Sequence, residues 1–225
     1  MARLLHGRPL AQAIRAQSKA RGQALRARGI SPKLAVVSVG RDPSAATYVE
    51  RLRHAGAGCG IDIAEWTLPG ETGERDLVSR LESLGSDRSV HGIILLTPLP
   101  GALDEGHIVD HVAVEKDVEG MNPFSVGWLA DGRPRFVPST AEAVVELLKY
   151  YEVPLRGARA VVIGRSTVIG RPAAYLLLKE DATVTIAHKR TRDLERATRD
   201  AEIVVVGVGR ERFLTGDMIA KGATV

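Results

Sequence analysis

One cysteine in 225 residues rules out any disulfide within the chain, and so sparing a use of thiols suits a reducing compartment such as the cytoplasm. That residue, Cys59, sits in Gly-Cys-Gly-Ile just ahead of a strand pattern, a setting for packing and not for a nucleophile. Aromatic residues make up only 4% of the chain, which argues against a surface that stacks on nucleic-acid bases. Long apolar runs are missing. No window approaches the roughly 20 residues that a membrane span needs, and "MARLLHGRPLAQAIRAQ" is expected to carry no signal peptide. The six histidines are scattered without ligand-like spacing, so no metal is expected. No repeat or low-complexity tract occurs. Of charge there is a small excess, 31 Lys and Arg against 27 Asp and Glu. The cations are spread as Arg along helix patterns and form no tail. That distribution fits solvated helix faces and an anionic small ligand, not nucleic acid.

What is present is an alternation of strand and helix patterns, which predicts an α/β fold with parallel strands. "PLAQAIRAQSKARGQALRARG" reads as an Arg-rich helix opened by Pro9 and closed near Gly29. "KLAVVSVG" is a continuous apolar run, as a buried strand requires. A helix follows from about Ser44, then the strand "IDIAEWTLP". "ERDLVSRLESLG" is amphipathic, with Leu77, Leu81 and Leu84 at helical spacing. The strand "VHGIILLTPLP" runs into a rigid turn, and "DEGHIVDHV" reads as a short helix. A long irregular stretch, 113–140, comes next, and loops of that length are usually functional or inter-domain. "TAEAVVELLKYY" is expected to be a helix capped by Thr140. "VPLRG" links to a second unit: strand "ARAVVIG", helix "RPAAYLLLKE", strand "ATVTIAHKRT", helix "TRDLERATRDA", strand "EIVVVGVG" and a short helix in "LTGDMIAKG". "ATV" begins a fourth strand, and more chain is expected beyond it.

The turn between the first strand and helix of this second unit is Gly164-Arg165-Ser166-Thr167-Val168-Ile169-Gly170. Strand, glycine turn, helix is the phosphate-binding plan of a Rossmann unit, although the spacing is not G-x-G-x-x-G. Gly164 permits a sharp exit from the strand and Gly170 a close approach at the helix start. The helix N-terminus is expected to offer free backbone N–H groups and a positive dipole end to a phosphate. The next strand ends in His188-Lys189-Arg190-Thr191, with no acid until Asp193. An NAD site tends to place an acid there to hold ribose hydroxyls. Cations there, together with Arg165, favour a 2′-phosphate and so NADP.

Seven motifs occur in order: "VGRDPSAATYV", "GIILLTPLP", "EKDVEGMNPFSVGWL", "VPSTAEAVVELL", "VVIGRSTVIGRPAAYLLL", "ATVTIAHKRT" and "AEIVVVGVG". Together they resemble the methylenetetrahydrofolate dehydrogenase/cyclohydrolase family, over the whole chain. The resemblance implies an N-terminal α/β substrate domain, 1–138, and a C-terminal Rossmann domain, 139–225, with a folate cleft between them. It implies a homodimer that binds NADP and a tetrahydrofolate derivative and oxidises the methylene form to the methenyl form, which many members then hydrolyse to formyl-tetrahydrofolate. The cofactor would lie against Gly164, Arg165, Ser166, Thr167, Ile169, Gly170, His188, Lys189, Arg190 and Thr191, and against Val208 and Gly209 after the third strand. The substrate would lie against Tyr48, Leu52, Leu96, Pro98, Leu99, Glu119 and Thr140, with Tyr48 and Glu119 closest to the chemistry.

The sequence departs from the family pattern where protons would move. Four residues beyond the tyrosine the family has lysine, and here stands Leu52. Its Val-Gln-Leu before Pro-Leu-Pro is Leu95-Leu96-Thr97, so Leu96 replaces glutamine. Its Lys-Asp-Val-Asp-Gly is Lys116-Asp117-Val118-Glu119-Gly120, and its Pro-Cys-Thr-Pro is Pro138-Ser139-Thr140-Ala141. Hydride removal from a carbon between two nitrogens needs no protein base, only alignment. Hydrolysis needs a group that cycles protons near neutral pH. Leucine has none. The expectation is a dehydrogenase whose cyclohydrolase step is lost or very weak, with Tyr48 holding folate. Arg51 or Arg53 could swing in to fix an anion but would be poor bases. Two other readings stay open: an oxidoreductase of this fold acting on another pterin or small molecule, and a folate- or nucleotide-binding protein without turnover.

Overall fold

In the computed structural model, which describes residues 3–40 and 42–225, the apolar run around Val36 forms the central strand of a parallel sheet. Arg41, in the first of the seven motifs, lies outside the described residues. The chain divides into two units. One is His6–Phe124; the other is Ser125–Val225 with the described residues up to Leu5.

The first unit contains α1 (Gly7–Ala27), β1 (Lys33–Val39), α2 (Pro43–Cys59), β2 (Asp62–Leu68), α3 (Glu74–Ser86), β3 (Gly92–Leu95) and α4 (Glu105–Val109). The sheet order is β2-β1-β3. Val36 pairs with Glu65 on one side and with Ile94 on the other, both parallel. A strand covered on two faces must be apolar throughout, which is why Ala35, Val36 and Val37 are fully buried. Leu77 and Leu81 of α3 pack on this sheet with Ile93, Ile108 and Val112. The order of strands reverses between β1 and β3. In open parallel sheets the crevice beyond the carboxyl ends at such a point receives ligands.

α2 starts there. Asp42 caps it, its carboxylate accepting the Ser44 amide at 2.9 Å, and Pro43 fills the first turn. Gly60, at φ 73°, ends it in the left-handed conformation. The stretch 113–140 is less irregular than its composition suggests. It holds a 3-10 turn, Val114–Lys116, and a helix, α5 (Pro123–Ala130).

The second unit contains α6 (Ser139–Tyr150), β4 (Arg159–Ile163), α7 (Gly170–Lys179), β5 (Thr183–Ala187), α8 (Leu194–Arg199) and β6 (Ile203–Val206), with sheet order β5-β4-β6, all parallel. Thr224 bridges to Ile203 in parallel, where a fourth strand was expected to begin. Thr140 is not the cap of α6. Pro138 stands at the cap position without a side-chain bond, and Thr140 lies inside the first turn. "LTGDMIAKG" gives only a 3-10 turn, Gly216–Met218.

Candidate functional site

In the first unit α2 carries Tyr48, whose ring is 40% exposed. Partial burial pushes its phenol above the ordinary tyrosine range, and the charge of Glu119 pushes it further. The charge of Glu119 thus reaches the Tyr48 phenol. Leu52, half-buried, follows Tyr48 by one helical turn. Leu96 continues β3 past its last paired residue, its amide donating to the Val37 carbonyl at 2.8 Å. Among the described residues, the apolar core cluster takes in neither leucine. The Thr97–Pro98 peptide is cis, and the Leu99 amide donates to Glu105 at 3.1 Å, which holds the Pro-Leu-Pro turn against the start of α4.

Of the two arginines that flank Leu52, Arg53 is committed elsewhere. Arg53 forks between Glu50 at 2.7 Å and Glu65 at 2.8 Å. Lys116 donates to the carbonyl oxygens of Leu84 and Asp87, at 3.0 and 2.7 Å. Thr140 stands on α6, in the other unit, and is exposed.

The second unit holds the glycine turn. A Cβ on Gly164, at φ 123°, would sit 2.7 Å from the Gly207 carbonyl oxygen. A Cβ on Gly170 would collide with the Gly164 carbonyl. The turn thus brings three backbone segments to within contact of each other beside the ends of β4 and β6, the close-packed cradle that a dinucleotide pyrophosphate needs. One expectation is corrected. The first N–H groups of α7 are not free: Ser166 Oγ accepts those of Ile169 and Gly170, at 3.1 and 3.3 Å, and the Ser166 carbonyl accepts that of Arg171. Pro172 has none. The serine hydroxyl closes the turn onto the helix.

At the end of β5 the His188 amide donates to Thr191 Oγ1 at 2.8 Å, and the Thr191 amide returns to the His188 carbonyl at 2.8 Å. The Arg190 amide donates to His188 Nδ1 at 3.2 Å. His188 and Thr191 thus build the turn, and Lys189 and Arg190 stand exposed on it. Val208 packs into the core beside β4, and Gly209 follows it. Gly207, whose backbone closes the cradle, was not singled out by sequence reasoning. Its signal was the Gly-x-Gly after the third strand. Asn122 was also missed, and Asn-Pro ahead of an apolar run was its signal.

Residues 5–119 match the family model described as tetrahydrofolate dehydrogenase/cyclohydrolase, catalytic domain, and residues 138–225 match its NAD(P)-binding domain. The chain belongs to the tetrahydrofolate dehydrogenase/cyclohydrolase family. It is 43% identical over 223 residues to the bifunctional protein FolD of Roseiflexus, covering 99% of this chain and 77% of that protein. The bifunctional FolD structure from Campylobacter jejuni superposes with a TM-score of 0.94 at 38% identity, covering 96% of this chain and 77% of that one. That of Trypanosoma brucei, complexed with NADP cofactor and inhibitor, gives 0.93 at 34% identity, covering 99% and 77%. The two-domain α/β architecture is the family's, and the glycine turn at 164–170 lies in its NAD(P)-binding domain. No described helix is long and apolar enough to cross a membrane.

Proposed function

We propose that this protein oxidises methylene-tetrahydrofolate to methenyl-tetrahydrofolate with NADP, and that it has lost the hydrolytic step or keeps only a trace of it. The observation that carries the second part is the pair Leu52 and Leu96. Neither has an exchangeable proton, and of the two arginines that flank Leu52, Arg53 is bound to Glu50 and Glu65, while an arginine stays protonated and makes a poor base. Water attacking the methenyl carbon must lose a proton as a ring nitrogen gains one. Tyr48 does not replace a lysine here, because its phenol is held above its ordinary range and stays neutral at pH 7.

NADP, when bound, supplies the hydride acceptor. The chain's residues do the rest by placement. Tyr48 acts as a neutral hydrogen-bond donor, and Glu119 as the acceptor for the N–H groups of the pterin. Leu52 and Leu96 keep water away from a carbon that becomes cationic once the hydride leaves. The flanking nitrogens share that charge, so oxidation proceeds without a base. Lys189, Arg190 and Arg165 would hold the 2′-phosphate.

The test is a spectrophotometric assay of methylene-tetrahydrofolate with NADP or NAD, following reduced cofactor and the methenyl product together. Reduction of NADP with a methenyl signal that decays no faster than a blank supports the reading. A methenyl signal that decays faster than the blank sinks the claim of lost hydrolysis. No reduction with either nucleotide sinks the dehydrogenase reading, and turns attention to another pterin, a substrate that the longer Glu119 side chain would also allow.

A further inference from the structure

Asp117 is the one buried carboxylate among the described residues, 2% exposed, and Asn122, five residues on, is equally buried. A buried carboxylate is costly unless hydrogen-bonded. Here Asp117 Oδ1 accepts the Met121 amide at 3.1 Å and Oδ2 the Asn122 amide at 2.9 Å. Its backbone bridges to Ile93 of β3. Asn122 spends its side chain in the same neighbourhood. Nδ2 donates to the Asp110 and Val112 carbonyls, at 3.1 and 3.0 Å, and Oδ1 accepts the Phe124 amide at 2.9 Å. Gly120 turns at φ 62°, its amide on the Asp117 carbonyl at 3.0 Å. On the other flank Lys116 is tied to the end of α3.

These bonds enclose one short loop, and Glu119 stands in the middle of it. We infer that Asp117 and Asn122 are positioning residues: they fix the 118–121 backbone so that Glu119 meets the pterin without paying ordering entropy on binding. The inference rests on the reading of Glu119 as the pterin's acceptor. A loop that only connected two elements could leave its amides to water. This one uses two buried polar side chains to restrain a segment whose single acid influences Tyr48.

The experiment is a double-mutant cycle between Asn122→Ala and Glu119→Ala in the full-length protein, with tetrahydrofolate and NADP affinities read by calorimetry. Asn122→Ser, which keeps a hydroxyl for the Phe124 amide, runs in parallel in case the alanine variant does not fold. The expected result is tetrahydrofolate affinity at least tenfold weaker in the Asn122 variant, unchanged NADP affinity, and no further loss when Asn122 is changed in the Glu119→Ala background. Losses that multiply, or NADP affinity falling in step, would mean general damage and overturn the inference. A Glu119→Ala protein that binds tetrahydrofolate normally would overturn it too, by removing the residue it acts through. Calorimetry needs no turnover, so wild-type protein that shows the coupling but reduces no NADP would refute the dehydrogenase reading and leave the positioning role standing.

Discussion

Lys116 Nζ lies 2.7 Å from the carbonyl oxygen of Asp87, where α3 ends. A cation there satisfies carbonyls that the helix leaves without intrahelical donors and sits at the negative end of its dipole. Lys116→Met keeps the apolar stem and removes both charge-assisted bonds. It is expected to destabilise the fold by about 1–3 kcal/mol, read as a lower denaturation midpoint. Decay of the methenyl product should be unaltered. A change in that decay would identify Lys116 as a proton carrier and contradict its structural assignment.

The two leucines invite the reverse experiment. Lysine at 52 and glutamine at 96 together restore a titratable group and an amide to hold it. The double variant Leu52→Lys/Leu96→Gln is expected to hydrolyse the methenyl product faster than the blank, with each single change inactive. Adding Glu119→Asp should raise the gain, because that carboxyl is one methylene shorter. The readout is the rate at which the methenyl absorbance disappears.

Cofactor preference should respond to Lys189 and Arg190. Each removed charge-assisted contact is worth about 1.5–3 kcal/mol, or roughly ten- to a hundredfold in affinity. Lys189→Ala and Arg190→Ala are therefore expected to raise the KM for NADP by at least tenfold and to leave any activity with NAD unchanged. For the wild type, the KM for NADP should rise with salt, since both side chains are exposed and screened.

Much of this architecture was legible because parallel strands buried on two faces read as apolar runs: "LAVV" in β1 and "AVVI" in β4. The strand orders were not. Both β2 and β3 pair with β1, a long-range outcome that no local pattern carries. α5 was missed because its eight residues are too few for a periodicity, although Asn122-Pro123 marked its start. The capping role given to Thr140 failed because Pro138 already turns the chain into the helix. In the site, the residue types at 48, 52, 96 and 119 could be read from motif order. That Arg53 and Lys116 are bound elsewhere, and that Ser166 occupies the amides of α7, depends on contacts between distant segments and on the geometry of one turn.

A pair of glycine changes tests the packing of α1 on α2. A Cβ on Gly22 would overlap the Cys59 carbonyl oxygen, which is backbone and cannot rotate away. Gly22→Ala is expected to cost about 1–3 kcal/mol by forcing the helices apart. Gly58, on the neighbouring helix, has nothing within 4 Å of the point where a Cβ would stand. Gly58→Ala should stabilise by about 0.5–1 kcal/mol through lower chain entropy in the unfolded state. Chemical denaturation of the two variants should move in opposite directions.

Tyr48 gives the pH prediction. Its phenol is raised above the ordinary value of 10.0, first by burial and then by Glu119. A raised value means that the folded protein keeps the proton longer than the unfolded chain. The group's contribution to stability is full below pH 10 and is lost as pH rises through the folded value. At neutral pH the hydroxyl therefore keeps its proton and can donate a hydrogen bond. Tyr48→Phe should raise the KM for methylene-tetrahydrofolate several-fold, as the loss of one hydrogen bond worth about 1 kcal/mol would do. It should leave the shape of the pH–rate profile between 6 and 9 unchanged (about the window in which a lysine of lowered pKa would titrate). If the profile loses an ionisation in that window, Tyr48 is moving protons, and the assignment of the site to hydride transfer alone is wrong.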